Sequence, residues 1–214
     1  MVGKITGIKP QKRKNYFNVF IDSRFSFSLS AEGLVKTGLK IGQVVAEEKI
    51  KKLLFESQFQ KLRDGALHFL SFRPRSEKEI RDYLKKKVYK LKAENQQSDL
   101  VDQVIKKLYD QKLVDDQGFA VWWCQQRAKF RPRGERAILM ELRQKGVEEE
   151  VAREALKECF NEEESIAKLV AKKQKSWQKF SSRERRQKMG QYLFRLGFSW
   201  PSIRSAIDSL EEKG

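Results

Sequence analysis

One stretch of this chain is stated twice. Phe72-Arg73-Pro74-Arg75-Ser76-Glu77, continuing to Leu84 and Lys87, returns as Phe130-Arg131-Pro132-Arg133-Gly134-Glu135, continuing to Leu142 and Lys145. Equal spacing in the two copies marks one supersecondary unit used again. A proline keeps the residue before it out of the helical region, so an upstream helix ends at each Arg-Pro. Ser76, with Glu79 at the capping-box position, opens the next helix. Each copy therefore reads helix, cationic turn, helix. A third, degenerate copy opens at Ser181-Ser182-Arg183-Glu184 without the Arg-Pro and closes at Leu196-Gly197, as the second closes at Lys145-Gly146. Units this small lean on their neighbours for a core. The expected fold is mainly α, three tandem three-helix repeats in an elongated array.

The N-terminal stretch is different. Val2 to Leu29 is poor in helix formers and rich in Phe, Val, Ile and Ser, with a basic loop from Lys9 to Lys14 between an opening strand and a hairpin. A three-residue loop Asp22-Ser23-Arg24 would place Phe17, Val19 and Ile21 on one face with Phe25, Phe27 and Leu29, and turn Asn18, Ser26 and Ser28 away. A short helix near Ala31 to Lys36 and an extended piece at Val44-Val45 complete a β-rich cap over residues 1–46, which either only packs or binds a ligand of its own. From Glu47 the apolar period becomes helical. A connecting helix is expected over 47–62, with Gly65 a candidate break beyond it, then repeats over 63–115, 116–161 and 162–214. Val88 to Ser98 is a polar insertion expected to be an exposed loop or frayed helix end.

Charge narrows the partner. The 214 residues carry 46 Lys and Arg against 29 Asp and Glu, a net charge of +17. Such an excess calls for a polyanion, nucleic acid first. A membrane surface fits less well, because basic and acidic residues are interspersed along the helices. No apolar run is long enough to span a bilayer and no signal-peptide core opens the chain, so the cytoplasm is expected. Cys124 and Cys159 lack metal-ligand spacing and are expected to be buried and inert. No cofactor or metal is expected.

Catalysis finds little to work with. There is no Gly-rich phosphate loop and no His-Cys cluster. The single histidine, His68, lies in the apolar stretch Leu67 to Leu70 and is expected in the core. A carboxylate-metal nuclease would rest on Asp115, Asp116 and Asp110, but adjacent aspartates at a helix start serve its free N–H groups and its dipole.

The basic residues gather instead at the turns. Arg127, Lys129, Arg131, Arg133 and Arg136 surround the second with Glu135 as the acidic neighbour. Lys172, Lys173, Lys175, Lys179, Arg183, Arg185, Arg186 and Lys188 surround the third, relieved by Glu184, and Arg73 and Arg75 belong to the first. Such clusters track phosphates without reading bases, with an affinity that falls as salt rises. An acidic protein ridge would be steered equally well. Trp122 and Trp123 are expected to be structural, and Trp177 is open between core and base stacking. Phe72 and Phe130, ahead of the Arg-Pro turns, are expected to staple helix to helix.

Arg73 to Leu84, then Leu113-Val114-Asp115-Asp116-Gln117-Gly118-Phe119-Ala120, then Gly134 to Gly146 resemble the bacterial RecX family in this order, over about Arg63 to Glu212, and the β-rich extension resembles that of its longer members. The resemblance implies a non-enzymatic regulator of the recombinase RecA in DNA repair and the SOS response. Such a protein lies in the groove of the RecA filament on single-stranded DNA and limits its assembly or activity, as a monomer. The turns at Arg73 to Ser76, Arg131 to Arg136 and Lys179 to Arg186 would grip. Duplex DNA stays open as a further ligand, and the alternative is a stand-alone nucleic-acid-binding protein with repeated helix-turn-helix-like units. The insertion at Val88 to Ser98 and the missing third Arg-Pro depart from the family pattern.

Overall fold

The Phe, Val and Ile of the N-terminal stretch form an antiparallel sheet. Its strands β1 (Val2–Pro10), β2 (Tyr16–Ile21), β3 (Arg24–Ser30) and β4 (Val44–Ala46) lie in the order β3-β2-β1-β4. A short helix α1 (Ala31–Thr37) precedes β4, and a long one, α2 (Glu47–Leu70), follows it. Ile5, Val19, Phe27, Leu29 and Val45 meet Leu39 and Leu53 in a buried cluster between sheet and helix. The computed structural model describes residues 2–12, 15–90 and 97–211. Arg13 and Lys14 of the expected basic loop lie outside them.

The hairpin turns on two residues, not three. Asp22 and Ser23 take φ of 47° and 66°, as the primed turns of tight hairpins require. Ile21 then pairs with Arg24 and Phe20 with Phe25. A register shift between Val19 and Phe20 makes Ser26 an extra residue, after which Val19 pairs with Phe27 and Phe17 with Leu29. The expected inward face is therefore right except for Phe25, which the bulge turns outward. Ser28, expected to face away, is buried, its hydroxyl donating to Asn18 and accepting from Gln11 at 2.9 and 3.1 Å.

α2 runs unbroken through Gly65. A glycine inside a helix costs about 1 kcal/mol, and packing on both sides of this one offsets it. The Phe69 ring stacks on Tyr83 with centroids 4.4 Å apart, and the Tyr16 hydroxyl donates to Asp64 at 2.6 Å, tying β2 to the helix. His68 is exposed, contrary to expectation. It stands two residues from the fully buried Ala66, about 200° around the helix. α3 (Glu77–Lys90) continues past the expected start of the insertion with Val88 buried, and α4 (Gln97–Asp110), which packs on α2, begins before its expected end. The remainder of that insertion, 91–96, lies outside the described residues.

The chain divides into two compact units. One takes the chain as far as Ser71 together with Arg81–Asp110, and the other takes Phe72–Ile80 together with the chain from Gln111 onward. The second holds α5 (Asp116–Phe130), α6 (Glu135–Gln144) and α7 (Glu149–Cys159), then α8 (Glu162–Trp177), α9 (Ser182–Arg195) and α10 (Trp200–Glu211). Phe119, Cys124, Ile138, Leu142 and Leu156 anchor one core. Ile166, Leu193, Phe198 and Ile203 anchor the other. Cys124 is fully buried and its thiol is pushed up to about 12 by burial and by the neighbouring Cys159. Cys159 is only half-buried, its thiol also raised by burial, and it donates to the Ala155 carbonyl at 2.9 Å.

Corresponding helix ends are built alike. α6 closes on Gly146 at φ 81° and α9 on Gly197 at φ 88°. In each the next residue reaches back over the turn, Val147 N–H to Leu142 and Phe198 N–H to Leu193, and is itself buried. This is a Schellman stop, which needs the left-handed residue that glycine supplies. Each stop receives the turn of the preceding repeat. Ser76 Oγ donates to the Lys145 carbonyl at 2.6 Å, and Gly134 N–H donates to the Leu196 carbonyl at 2.9 Å. The exposed first N–H of each following helix finds an acid from the next repeat, Glu77 N–H donating to Asp116 at 2.8 Å and Glu135 N–H to Glu162 at 3.4 Å.

The paired aspartates are therefore caps. Asp115 accepts from Gly118 N–H at 3.0 Å across its own helix start, while Asp116, whose carboxyl burial pushes above the usual range, caps α3. Asn at position 116 keeps the accepting oxygen without the buried charge. Asp116→Asn is expected to leave the thermal midpoint nearly unchanged, and Asp116→Ala to lower stability by about 1–2 kcal/mol, read by urea titration.

Candidate nucleic-acid interface

The cationic turns divide into charges the fold uses and charges it leaves out. Arg73 forks onto both Glu79 oxygens at 3.0 Å and lies 5.4 Å from the Trp122 ring. Lys145 completes the triad, 2.7 Å from Glu79 and 4.5 Å from the Trp123 ring. Arg127 is tied to Glu141 at 2.6 Å and stands over Trp123 at 4.6 Å, and the same carboxylate accepts from the Trp123 indole at 2.8 Å. Arg73 thus links the first turn to the second repeat, and Arg127 ties α5 to α6, so both expected gripping residues also have partners inside the fold. Arg75 is half-buried, and burial and its neighbour Arg73 pull its pKa down.

The Glu79 triad makes part of the stability acid-labile. Burial pushes the Glu79 carboxyl up, but Arg73 and Lys145 outweigh it and hold it below its ordinary value of 4.5. A carboxylate depressed in the folded state stabilises fully above its unfolded pKa and loses that contribution as pH falls through the folded one. Glu79→Gln is expected to destabilise by about 2 kcal/mol at neutral pH, the scale of charged hydrogen bonds. The difference from wild type should shrink below the ordinary glutamate range in melts run across pH.

The remaining cations face solvent. Lys129, Arg131 and Arg136 are exposed around the second turn and Arg133 is half-buried beside them. Glu135, the acid among them, leans toward Arg153, 3.9 Å away. At the third turn Lys175, Lys179, Arg183 and Arg185 are exposed, as are Lys172, Lys173 and Lys188, while Arg186 is paired with Asp208 at 2.9 Å. Glu184 is spent in its own helix cap, accepting from Ser181 N–H at 3.0 Å. Where the first two turns borrow an acid from the next repeat, the third closes a capping box locally. Both clusters therefore keep a net excess of exposed positive charge.

Aromatic placement differs from expectation. Trp177 is buried in the third core, edge-on to Tyr192 at 5.7 Å, so it offers no face to a base. Trp122 and Trp123 pack on the second core as structural residues. Phe72 and Phe130 are 70% and 66% exposed, where buried staples between helices were expected. Periodicity gives the direction in which a side chain leaves its helix, not whether a neighbour reaches it. Phe130 instead lies under Lys129, whose ammonium is 5.3 Å from its ring. Lys179 and Lys188 flank Phe180 at 5.3 and 4.5 Å. Trp200, exposed and stacked at 5.6 Å on Phe194, carried no signal in the sequence beyond its residue type.

Other chemistries have less to build on. Among the described residues no group of His, Cys, Asp and Glu comes together that could hold a metal ion, and no helix is long and apolar enough to cross a membrane.

Known proteins carry the same plan. Four family profiles match in order: the regulatory protein RecX N-terminal domain over residues 3–46, and the RecX first, second and third three-helix domains over 63–108, 115–156 and 161–207. The regulatory protein RecX of Bacillus subtilis (strain 168) is 34% identical over 210 residues, which is 97% of this chain and 77% of that one. That of Halalkalibacterium halodurans is 35% identical over 211 residues, 95% of this chain and 76% of its own. Among solved structures, a crystal structure of regulatory protein RecX superposes with a TM-score of 0.68 at 28% identity, covering 96% of this chain and 99% of that one. RecX from Lactobacillus salivarius gives 0.61 at 25% identity, covering 72% and 97%.

Proposed function

Because this chain belongs to the RecX family, we propose that it regulates the recombinase RecA by binding the RecA filament on single-stranded DNA and limiting its assembly or activity, without catalysis of its own. The observation that supports this is the sorting of charge at the turns. Arg73 and Arg127 are neutralised inside the fold, whereas Lys129, Arg131, Arg136, Lys175, Lys179, Arg183 and Arg185 are exposed. Their two acidic neighbours are engaged elsewhere, Glu135 with Arg153 and Glu184 in its cap. Like charges held together without a counter-charge repel one another, and a polyanionic partner turns that repulsion into attraction. The filament offers both DNA phosphates and protein carboxylates to such clusters.

In this mechanism the repeat unit supplies rigid turns and the cations supply grip. Bridging neighbouring RecA protomers obstructs monomer addition, joint formation with duplex DNA, or entry of LexA into the same groove. The reading predicts tight binding at moderate salt only when RecA and nucleotide are both present with the single strand. Anisotropy of a labelled oligonucleotide, with and without RecA, tests it. Equal affinity in the two cases would favour a stand-alone nucleic-acid-binding protein, the reading that the exposed Phe130 under Lys129 supports.

A further inference from the structure

The outer face of the N-terminal sheet carries an arrangement that packing does not account for. Without its bulge, β3 would send Phe25 inward with Phe27 and Leu29. The extra residue, Ser26, aims it outward opposite Phe20 instead. Bulges interrupt a ladder and re-aim side chains, and the adjoining turn holds two non-glycine residues at positive φ, a second local cost. The product is an edge-to-face pair with ring centroids 6.2 Å apart and planes at 78°, in which Phe25 stays 56% exposed. Fully burying such a side chain would stabilise the sheet. The fold forgoes much of that.

Lysines flank the pair. Lys9 Nζ is 5.5 Å from the Phe20 centroid, and Lys4 is exposed. Lys4 precedes the inward Ile5 and so shares the outer face with the rings. The one acid of the turn, Asp22, already accepts from the Lys4 N–H at 3.0 Å. Gly7, paired with Phe20, has no side chain to stand between that ring and β1. Rings on a sheet with cations at their margins suit unpaired bases. Every base has a π face that stacks on an aromatic platform, while the cations hold the phosphates. A duplex keeps its bases stacked inward, and an apolar peptide would gain nothing from the cations.

We infer that this face, with Phe20 and Phe25 as the platform and Lys9 and Lys4 beside it, is a binding site for an unpaired nucleic-acid strand, in addition to the cationic turns of the helical repeats. The test uses the full-length protein with oligo(dT) and oligo(U) of about 15 nucleotides, near the upper site size of one small binding fold, and a duplex of equal length. Phe25→Ser weakens binding to the unpaired strand about tenfold, within the span of one stacking contact, and leaves duplex binding unchanged. Phe25→Trp restores it. Lys9→Gln lowers the slope of log affinity against log salt by roughly 0.7, the value for one single-strand phosphate. A loss on oligo(dT) alone, on oligo(U) alone or on both supports the site and tells which sugar it accepts. Unchanged affinity in Phe25→Ser, an equal loss on duplex, or failure of the wild-type protein to bind either strand overturns it. The ratio between wild type and Phe25→Ser persists when Arg131 and Arg133 are both replaced by Glu, so this site and the turns fail independently.

Discussion

Gly134→Ala is expected to lower the stability of the second unit by about 3 kcal/mol, read as a fall in the urea midpoint. A Cβ at Gly134 would overlap the backbone of Gly197 and Phe198, not the movable end of a side chain. Backbone cannot rotate away, so either the junction opens or α9 shifts. Overpacking of this kind costs about 1–3 kcal/mol, and losing the Gly134 N–H bond to Leu196 adds about 1. Serine should do no better, although Ser76 occupies the equivalent place in the first copy. There the Oγ donates to Lys145, a longer bridge than the direct backbone contact at Gly134. Gly190→Ala is the control. Its Cβ would meet Trp200 at an ordinary 3.8 Å, and alanine favours a helix interior by about 1 kcal/mol, so no loss is expected. A neutral Gly134→Ala would mean that the two repeats do not meet as described.

Reversing charge at Arg131 and Arg133 together is expected to weaken binding to the RecA filament about 100-fold near physiological salt. The double change removes two cations and installs two repelling charges on a turn proposed to meet the filament's anionic groups. The wild-type salt dependence should also become shallower. Arg131 is exposed and Arg133 half-buried, so thermal melts of the variant should show most of the native stability. Arg73→Ala and Arg127→Ala behave differently. Each takes an arginine from a carboxylate, Glu79 or Glu141, and the loss appears in stability before it appears in binding.

The repeat was legible because its signals are local and chemical. Arg-Pro ends a helix, Ser-x-x-Glu starts one, and glycine after lysine stops one, whatever lies around them. The β-rich cap was equally visible in composition. What stayed hidden depends on neighbours that no window contains. The hairpin loop was read from alternation alone, which a bulge at Ser26 resets without leaving a mark in the pattern. The apolar stretch around His68 and the place of Phe130 ahead of an Arg-Pro turn both point inward, yet His68 is exposed and Phe130 is 66% exposed. The basic residues illustrate the same limit. Arg73 and Lys129 look alike as letters, and only Glu79 and Trp122, brought in by the fold, separate a structural cation from an available one.

The most direct test of the central claim is RecA ATP hydrolysis on single-stranded DNA at near-physiological salt, with this protein titrated in well below the RecA concentration. The account predicts suppressed or altered turnover at those ratios, because one molecule bridging several protomers acts on the filament rather than on free sites. No effect until the protein is sufficient to cover the DNA would contradict it, and would leave competition for the strand as what the cationic turns do.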